Sequence, residues 1–410
     1  MPMKSNMKIL YLIHSTYNPG GMERVLLNKV RYFVEKMRWD VTVVTTDQHD
    51  RPSFHPFPEG VKMIDLGVNY SDDNGKPFWK KLRGYFKRRQ LHKKLFNKVL
   101  EQERPDVVDC FYPGECSFVP GLKDGSKKVM ELHQSKLFHH QYNRSGLMGL
   151  ADKVRAWMDY RLVRKFDRFV VLTEEDREMW GDMPGIRVIP NAANFIADKY
   201  SDCSAKRVIA VGRLDYQKSF DRLILVWEKV HQQMPDWRLD IFGQGEWQEM
   251  LQGMIDERGL QECVKLNAPT KNIGKEYSES SIIVMSSHYE GFPMVMIEAM
   301  ACGLPAVCFD FKCGPRDIIT EGENGLVVKD GDIDGLSEAL VTLMKDDELR
   351  KRMGDNAKKV VERYSEEKVM NKWVYLYEET IAYKSRSLDF YFDRTYNTGD
   401  WCCRDGRGME

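Results

Sequence analysis

The chain has 410 residues, enough for two domains of about 200 residues that each bury a core. Its 62 basic residues balance its 62 acidic ones, which excludes a chain-wide attraction to nucleic acid and leaves any electrostatic role to local clusters. Nine cysteines without Cys-x2-Cys or Cys/His ligand spacing exclude a zinc module and a paired disulfide framework, and suit reduced thiols in the cytoplasm.

Residues 8–14 predict a first parallel strand, followed by Pro19-Gly20-Gly21 and a helix with Val25, Leu26, Val30 and Phe33 on one face. This strand, glycine loop and helix lack the third glycine of a dinucleotide fingerprint and the lysine of a P-loop, so they give little support to NAD or ATP. The apolar run at 9–13 is too short for a signal-peptide core or a membrane span, and no other run approaches the roughly 18 residues required. Further strands are expected at 41–45, 61–66 and 107–110. Between the last two, residues 78–104 carry ten basic residues against Glu101 and Glu103. Trp79, Leu82, Tyr85, Phe86, Leu91, Leu95 and Val99 recur there at helical spacing, the pattern of a helix lying on an anionic membrane. Lys87, Arg88 and Arg89 are its candidate membrane-facing cations. The competing reading is a helix whose stripe packs on its own domain. Residues 148–169, with Arg155, Arg161, Arg164, Lys165 and Arg168, are a second candidate face.

Residues 128–132 form a strand that runs into His133, which taken alone reads as a structural histidine. Strands at 168–172 and 186–190 lead to Asn191-Ala192-Ala193-Asn194, and the polar stretch 195–206 is the expected interdomain linker. A strand at 207–211 opens the second domain. The basic loop Gly212 to Lys218 follows, then a helix with Phe220, Leu223, Ile224 and Trp227 on one face. Strands at 239–242 and 264–266 continue the pattern, and Gly243-Gln244-Gly245 repeats the glycine turn after the first of them.

At 282–285 a β-branched run suits a buried parallel strand, Gly291 and Pro293 punctuate it, and 294–301 is built of helix formers. A helix starting just past the carboxyl end of a parallel strand directs its free N–H groups into the crevice where such sheets bind anions. Glu290 precedes the turn, and Glu298 lies about 7.5 Å along the helix axis, so the two carboxylates should serve different ligand groups. After the strand at 306–309 and the segment 314–317, Asp330-Gly-Asp332-Ile-Asp334 superficially offers metal ligands; its place before a helix at 335–344 makes it a solvent loop with an N-cap. An aromatic-rich helix is expected at 366–383, and residues 388–410 show no usable period.

The Glu-x7-Glu unit from Glu290 to Glu298, with Gly-Phe-Pro-Met inside it and Cys-Gly-Leu-Pro-Ala-Val behind it, resembles the retaining glycosyltransferases of family four. The resemblance covers roughly nine-tenths of the chain and implies an α/β GT-B fold, two Rossmann-like domains facing each other across a cleft. The implied division is an acceptor-binding domain at 1–195, a nucleotide-sugar domain at 206–365, a helix at 366–384 returning to the first domain, and a tail at 385–410.

In such enzymes Gly20 and Gly21 bring backbone N–H groups to the donor phosphate, His133 lies near the donor sugar, and Arg213 and Lys218 contact the diphosphate. Gly291, Phe292, Pro293 and Met294 line sugar and phosphate, Glu290 accepts a sugar hydroxyl, and Glu298 accepts from the ribose. Ala192, Asn194 and Ser219 depart from the family's pattern, Ser219 standing where glycine is usual.

The expected reaction is transfer of a hexose or N-acetylhexosamine from a nucleoside-diphosphate sugar, a UDP-sugar foremost, to a saccharide or lipid-linked oligosaccharide in envelope or capsular polysaccharide assembly. No cofactor and no metal are expected, because no Asp-x-Asp equivalent stands out and the two cations and the helix terminus supply the field. Nucleic acid is not an expected partner; an anionic membrane surface on the cytoplasmic side is. The rival readings are a nucleotide-sugar epimerase of the same fold and a nucleotide-sugar-binding protein without turnover.

Overall fold

The computed structural model describes residues 6–18, 20–112, 116–136, 146–193 and 197–382. Asn194, the first two residues of the expected linker and the expected tail at 385–410 lie outside them. The described chain forms two parallel sheets. The first contains β1 (Lys8–Ile13), β2 (Asp40–Thr45), β3 (Lys62–Asp65), β4 (Val107–Phe111), β5 (Lys127–Glu131), β6 (Arg168–Val171) and β7 (Ile186–Val188), in the order β3-β2-β1-β4-β5-β6-β7. The second contains β8 (Arg207–Val211), β9 (Arg238–Phe242), β10 (Val264–Asn267), β11 (Ile282–Met285), β12 (Ala306–Phe309) and β13 (Gly325–Val328), in the order β10-β9-β8-β11-β12-β13.

Both orders reverse beside the first strand of the sheet, at β1/β4 and at β8/β11, where a doubly wound sheet opens a crevice at its carboxyl edge. Central strands such as β4, β11 and β12 are buried along their length, as strands covered by helices on both faces must be.

Each half has its own core. The second is built around Trp227, Tyr277, Met296 and Phe309. The first includes the last described helix, Glu366–Ala382, whose Val369, Met370, Trp373 and Tyr377 pack with Tyr11, Phe33 and Trp39. The chain therefore crosses between the halves twice, and the crossings touch: Ala193 N donates to the Tyr364 carbonyl at 2.7 Å. Further contacts hold the halves together. Glu175 accepts from Lys312 Nζ (2.8 Å) and Cys313 N (2.7 Å), and Asp317 Oδ1 accepts from Glu174 N (3.1 Å) at the start of the helix Glu174–Trp180.

The expected linker is less independent than its polarity predicts. Ser201 and Cys203 are buried, Cys203 Sγ donates to the Gly303 carbonyl at 3.2 Å, and Arg350 Nε donates to the Cys203 carbonyl at 2.9 Å. No helix among the described residues is long and apolar enough to cross a membrane.

Candidate active site

The carboxyl edges of the two sheets face each other across a cleft of about 1600 Å³. From the first half Gly20, Gly21, Glu23, His133 and Gln134 line it; from the second come Arg213, Lys218, Glu290, Gly291, Phe292, Pro293 and Met294. Of the residues expected from the sequence to face the donor, all but Glu298 and the two glycines at 243 and 245 thus meet on one surface. Glu298 sits further along the helix Met294–Ala301, mostly buried and 3.8 Å from Arg24 of the first half. Burial raises the Glu298 carboxyl above its usual range and Arg24 partly offsets that.

On the second half, Lys218 Nζ donates to Glu290 Oε1 at 2.6 Å, and Ser287 Oγ donates to the same oxygen at 2.7 Å. Gln217 Nε2 donates to Glu290 Oε2 at 3.2 Å and, through its carbonyl oxygen, accepts from Arg213 Nη2 at 2.8 Å. The carboxylate and both cations are therefore one connected unit, with Gln217 as the bridge. Asp215 fixes the loop by accepting from Lys218 N (3.1 Å) and pairing with Arg213 (3.2 Å).

Ser219 adopts φ 50°, a left-handed conformation that explains why glycine suits this position; its hydroxyl donates to Asp221 Oδ1 at 2.8 Å and lies 3.1 Å from His288 Nε2. Gly243 and Gly245 pack beneath the cation loop: a Cβ on Gly243 would sit 1.8 Å from the Gly212 carbonyl oxygen, and one on Gly245 2.3 Å from that of Leu214. They are supports for Arg213, not cleft lining. Pro293 caps the helix Met294–Ala301, and the first amide, Met294 N, is already donated to the Phe292 carbonyl at 2.9 Å.

On the first half, His133 stacks on Phe111 with ring centroids 5.0 Å apart, and its Nε2 lies 3.1 Å from Glu131 Oε2. Burial, reinforced by the charge of Lys29, lowers the histidine pKa to about 3. The ring is neutral at physiological pH, so the proton belongs on Nε2, donated to Glu131, and Nδ1 carries the lone pair. Nδ1 is buried with no hydrogen-bond partner among the described residues.

Behind the histidine is a charge cluster that sequence reasoning missed. Lys29, fully buried, bonds Glu131 and lies 3.5 Å from Asp109 Oδ2, with its ammonium 3.2 Å from the centroid of Trp373. Tyr377 donates to Asp109 Oδ2 at 2.5 Å. Burial and then Glu131 raise the Asp109 pKa to about 8, against the pull of Lys29. The signal available was Lys29 itself, which falls at helical spacing inside the apolar stripe Leu26, Val30 and Phe33 that runs along the helix Gly21–Arg31 into the turn Tyr32–Lys36.

The three carboxylates of the metal-like loop are each committed elsewhere: Asp330 to Arg222 (2.8 Å), Asp332 to the Gly335 amide as an N-cap (2.9 Å), and Asp334 to Lys229 (2.8 Å). Lys87, Arg88 and Arg89 lie outside the cleft on the helix Phe78–Glu103, and the structure corrects their expected common face. Lys87 is exposed, whereas Arg88 donates to Asp73 Oδ2 (3.0 Å), to Asp72 Oδ2 (3.2 Å) and to the Val68 carbonyl. Arg89 donates to Ser117 Oγ (3.3 Å) and lies over the Phe118 ring. The carboxylates at 72–73 reach this helix only through the fold, and they turn Arg88 inward.

Comparison with known proteins bears on both halves. Residues 19–195 match the family model described as Glycosyltransferase Family 4, and residues 195–360 match Glycosyl transferases group 1. An amylovoran biosynthesis glycosyltransferase of Erwinia amylovora is 30% identical over 390 residues, 89% of this chain and 98% of that one. An uncharacterized glycosyltransferase of Haemophilus influenzae is 28% identical with the same shares of each chain. Among solved structures, TarM superposes with a TM-score of 0.74 at 20% identity, covering 90% of this chain and 98% of that one. Anabaena HepE in complex with UDP gives 0.69 at 18% identity, covering 91% and 100%. The two parallel-sheet halves are thus the GT-B fold.

Proposed function

The chain belongs to the family 4 glycosyltransferases, and from that premise we propose that it transfers a hexose or N-acetylhexosamine from a UDP-sugar to a saccharide acceptor, with retention of anomeric configuration and without a metal ion. The observation that carries this reading is the Lys218, Glu290, Gln217 and Arg213 unit, which puts two cations and one carboxylate on the same wall of the cleft.

Breaking the anomeric bond leaves positive charge on the sugar carbon and negative charge on the departing diphosphate, so stabilising the leaving group is the main task. An ammonium has more than one N–H, which lets Lys218 keep Glu290 while donating to a phosphate oxygen. Arg213, whose side chain is 70% exposed, closes on the diphosphate from the solvent side, and the Gly20 and Gly21 amides approach from the opposite half. Glu290 accepts from a sugar hydroxyl, Glu298 from the ribose, and the lone pair on His133 Nδ1 from a second sugar hydroxyl. The acceptor attacks from the face the diphosphate leaves, and the diphosphate takes its proton, so no hydrolase-type carboxylate pair is needed. That HepE was solved with UDP supports the choice of base.

The acceptor in this reading is a lipid-linked oligosaccharide at the inner face of the membrane, in polysaccharide assembly. The name of the Erwinia relative supports the pathway class. Two exposed apolar stripes on the first half support the location: Phe78, Trp79 and Phe86, 69%, 76% and 55% exposed, and Leu150, Val154, Trp157 and Met158 on the helix Gly146–Val163. Both helices carry cations beside the stripe.

Incubation with radiolabelled UDP-glucose or UDP-N-acetylglucosamine and extracted lipid-linked saccharides tests the reading. Transfer, or slow hydrolysis without acceptor, is expected, and activity should survive EDTA. Formation of an epimer, or binding without turnover of either sugar, would overturn it.

A further inference from the structure

A second recess, about 550 Å³ in volume, opens on the first half and has no part in holding the donor. His14, Tyr70, Ser71, Asp73, Lys81 and Tyr85 form most of its wall. His14 directly follows β1 and Asp47 follows β2, so the recess stands at the carboxyl edge of the sheet, where doubly wound folds bind ligands.

Its carboxylates are already engaged. Asp47, fully buried, accepts from Ser71 Oγ at 3.0 Å and lies between two imidazoles, 2.9 Å from His14 Nε2 and 3.0 Å from His49 Nε2. Asp73 accepts from Lys76 Nζ at 2.6 Å and Arg88 Nε at 3.0 Å, contacts that hold its carboxyl below the usual range. Lys81, by contrast, is exposed and has no carboxylate within ion-pair distance among the described residues. The wall therefore presents one cation outside any ion pair next to two tyrosine rings, Tyr70 and Tyr85, whose centroids are 6.0 Å apart.

The recess also adjoins the cleft. His14 borders it on one side and on the other is near enough to Glu23, a cleft residue, to act on that carboxyl electrostatically. Lys81 and Tyr85 are one turn apart on the helix Phe78–Glu103, and the neighbouring face of that helix carries the exposed Trp79, Leu82 and Phe86.

We propose that this recess is the acceptor subsite and takes a saccharide bearing a phosphate or carboxylate group, with the anion on Lys81, the ring against Tyr70 and Tyr85, and hydroxyls on His14. Asp47 is the positioning residue for that histidine. An apolar tail on the acceptor continues along Trp79, Leu82 and Phe86. The inference rests on the transferase reading, since it needs a donor in the adjoining cleft.

Saturation-transfer NMR on the full-length protein tests it with three probes, glycerol 1-phosphate, glucuronate and methyl glucoside, each with and without saturating UDP. One or both of the charged probes should bind, whichever binds tighter naming the anion; UDP should not displace them, and methyl glucoside should bind more weakly. Lys81→Gln should weaken the charged probe by about tenfold, the loss of one charge-assisted hydrogen bond. Tyr85→Ala should lower the saturation received by the probe's ring or carbon protons. Displacement by UDP, equal binding of methyl glucoside, or Lys81→Gln binding as wild type would overturn the assignment. UDP affinity, measured on the same samples, keeps the two readings apart: a wild type that ignores UDP sinks the donor site, whereas a Lys81→Gln variant that keeps UDP and loses the probe supports the recess.

Discussion

Gly291 of the second half lies so close to the backbone carbonyl of His133 in the first that a Cβ on the glycine would sit 2.2 Å from that oxygen. No real Cβ tolerates such an approach, so the missing side chain is what lets the two halves meet in the cleft. Gly291→Ala should leave both cores intact, widen the cleft and lower kcat by about 10²-fold, the usual cost of misplacing reacting groups by an ångström. Small-angle scattering should show the expansion while the melting temperature stays near that of wild type. Near wild-type turnover would mean that the contact is incidental.

Lys218→Ala and Arg213→Ala should each slow transfer by about 10²-fold or more, as when a partner of transition-state charge is removed. Lys218→Ala should be the more damaging, because it also strips Glu290, 6% exposed, of its cation. Single-turnover rates at saturating donor make the comparison. If the exposed Arg213 proves the more important, the charge on the leaving group and not the preorganised pair dominates.

The two glutamates are separable by calorimetry with UDP alone. With the ribose on Glu298 and a sugar hydroxyl on Glu290, as proposed, Glu298→Gln should weaken UDP, whereas Glu290→Gln should leave UDP affinity nearly unchanged and impair turnover. Equal losses in both variants would show the assignment to be wrong.

The buried cluster predicts a pH dependence of stability. Asp109 is raised from 3.8 to about 8, so the folded protein holds a proton there that the unfolded chain releases, and stability falls as pH rises through that window. His133, lowered from 6.5 to about 3, acts with the opposite sign: its contribution grows as pH rises from 3 to 6.5. Between pH 6.5 and 8 the histidine contribution dies away, and comparison with Asp109→Asn separates the Asp109 slope from that of every other group. Urea denaturation across that interval should show declining stability in the wild type and a flatter profile in Asp109→Asn. Parallel profiles would mean that Asp109 is ionised throughout.

Flotation with anionic vesicles tests the basic helix. With Arg88 and Arg89 turned toward the protein, Lys80 and Lys87 are the cations to change. Their joint replacement by glutamine should weaken binding by about 2 kcal/mol at low salt, about 1 kcal/mol per cation near the surface. If the wild type does not float, or both proteins float alike, the helix is not a membrane anchor.

Much of this architecture is legible in the sequence because parallel strands buried on both faces are short apolar runs and the loops after them carry the chemistry. Ile282–Met285 followed by Glu290 and Gly291, and Arg207–Val211 followed by Arg213 and Lys218, mark one wall of the cleft in the sequence itself. Helical period also separates the buried end of the helix Phe78–Glu103, at Phe96, Val99 and Leu100, from its exposed start only once the sheet beneath it is known. What the period cannot supply is the partner from a distant element. Arg88 reads as a surface cation until Asp72 and Asp73 appear beside it. Lys29 reads as an interruption of an apolar face until Asp109, Glu131 and Trp373 surround it, and the pairing of Arg24 with Glu298 depends on how the halves meet.

The helix Glu366–Ala382 gives the first half part of its core, and that has a consequence for synthesis on the ribosome. The second half draws its core from residues 208–364 apart from Leu172 and Ala193, so it can condense as soon as it emerges. The first half, though translated earlier, leaves Lys29 without Trp373 and Asp109 without Tyr377 until the last helix is made. At about 5–20 residues per second, its nascent core waits for about 10–40 s with charges exposed that the finished protein encloses. The part of the chain born first is completed last.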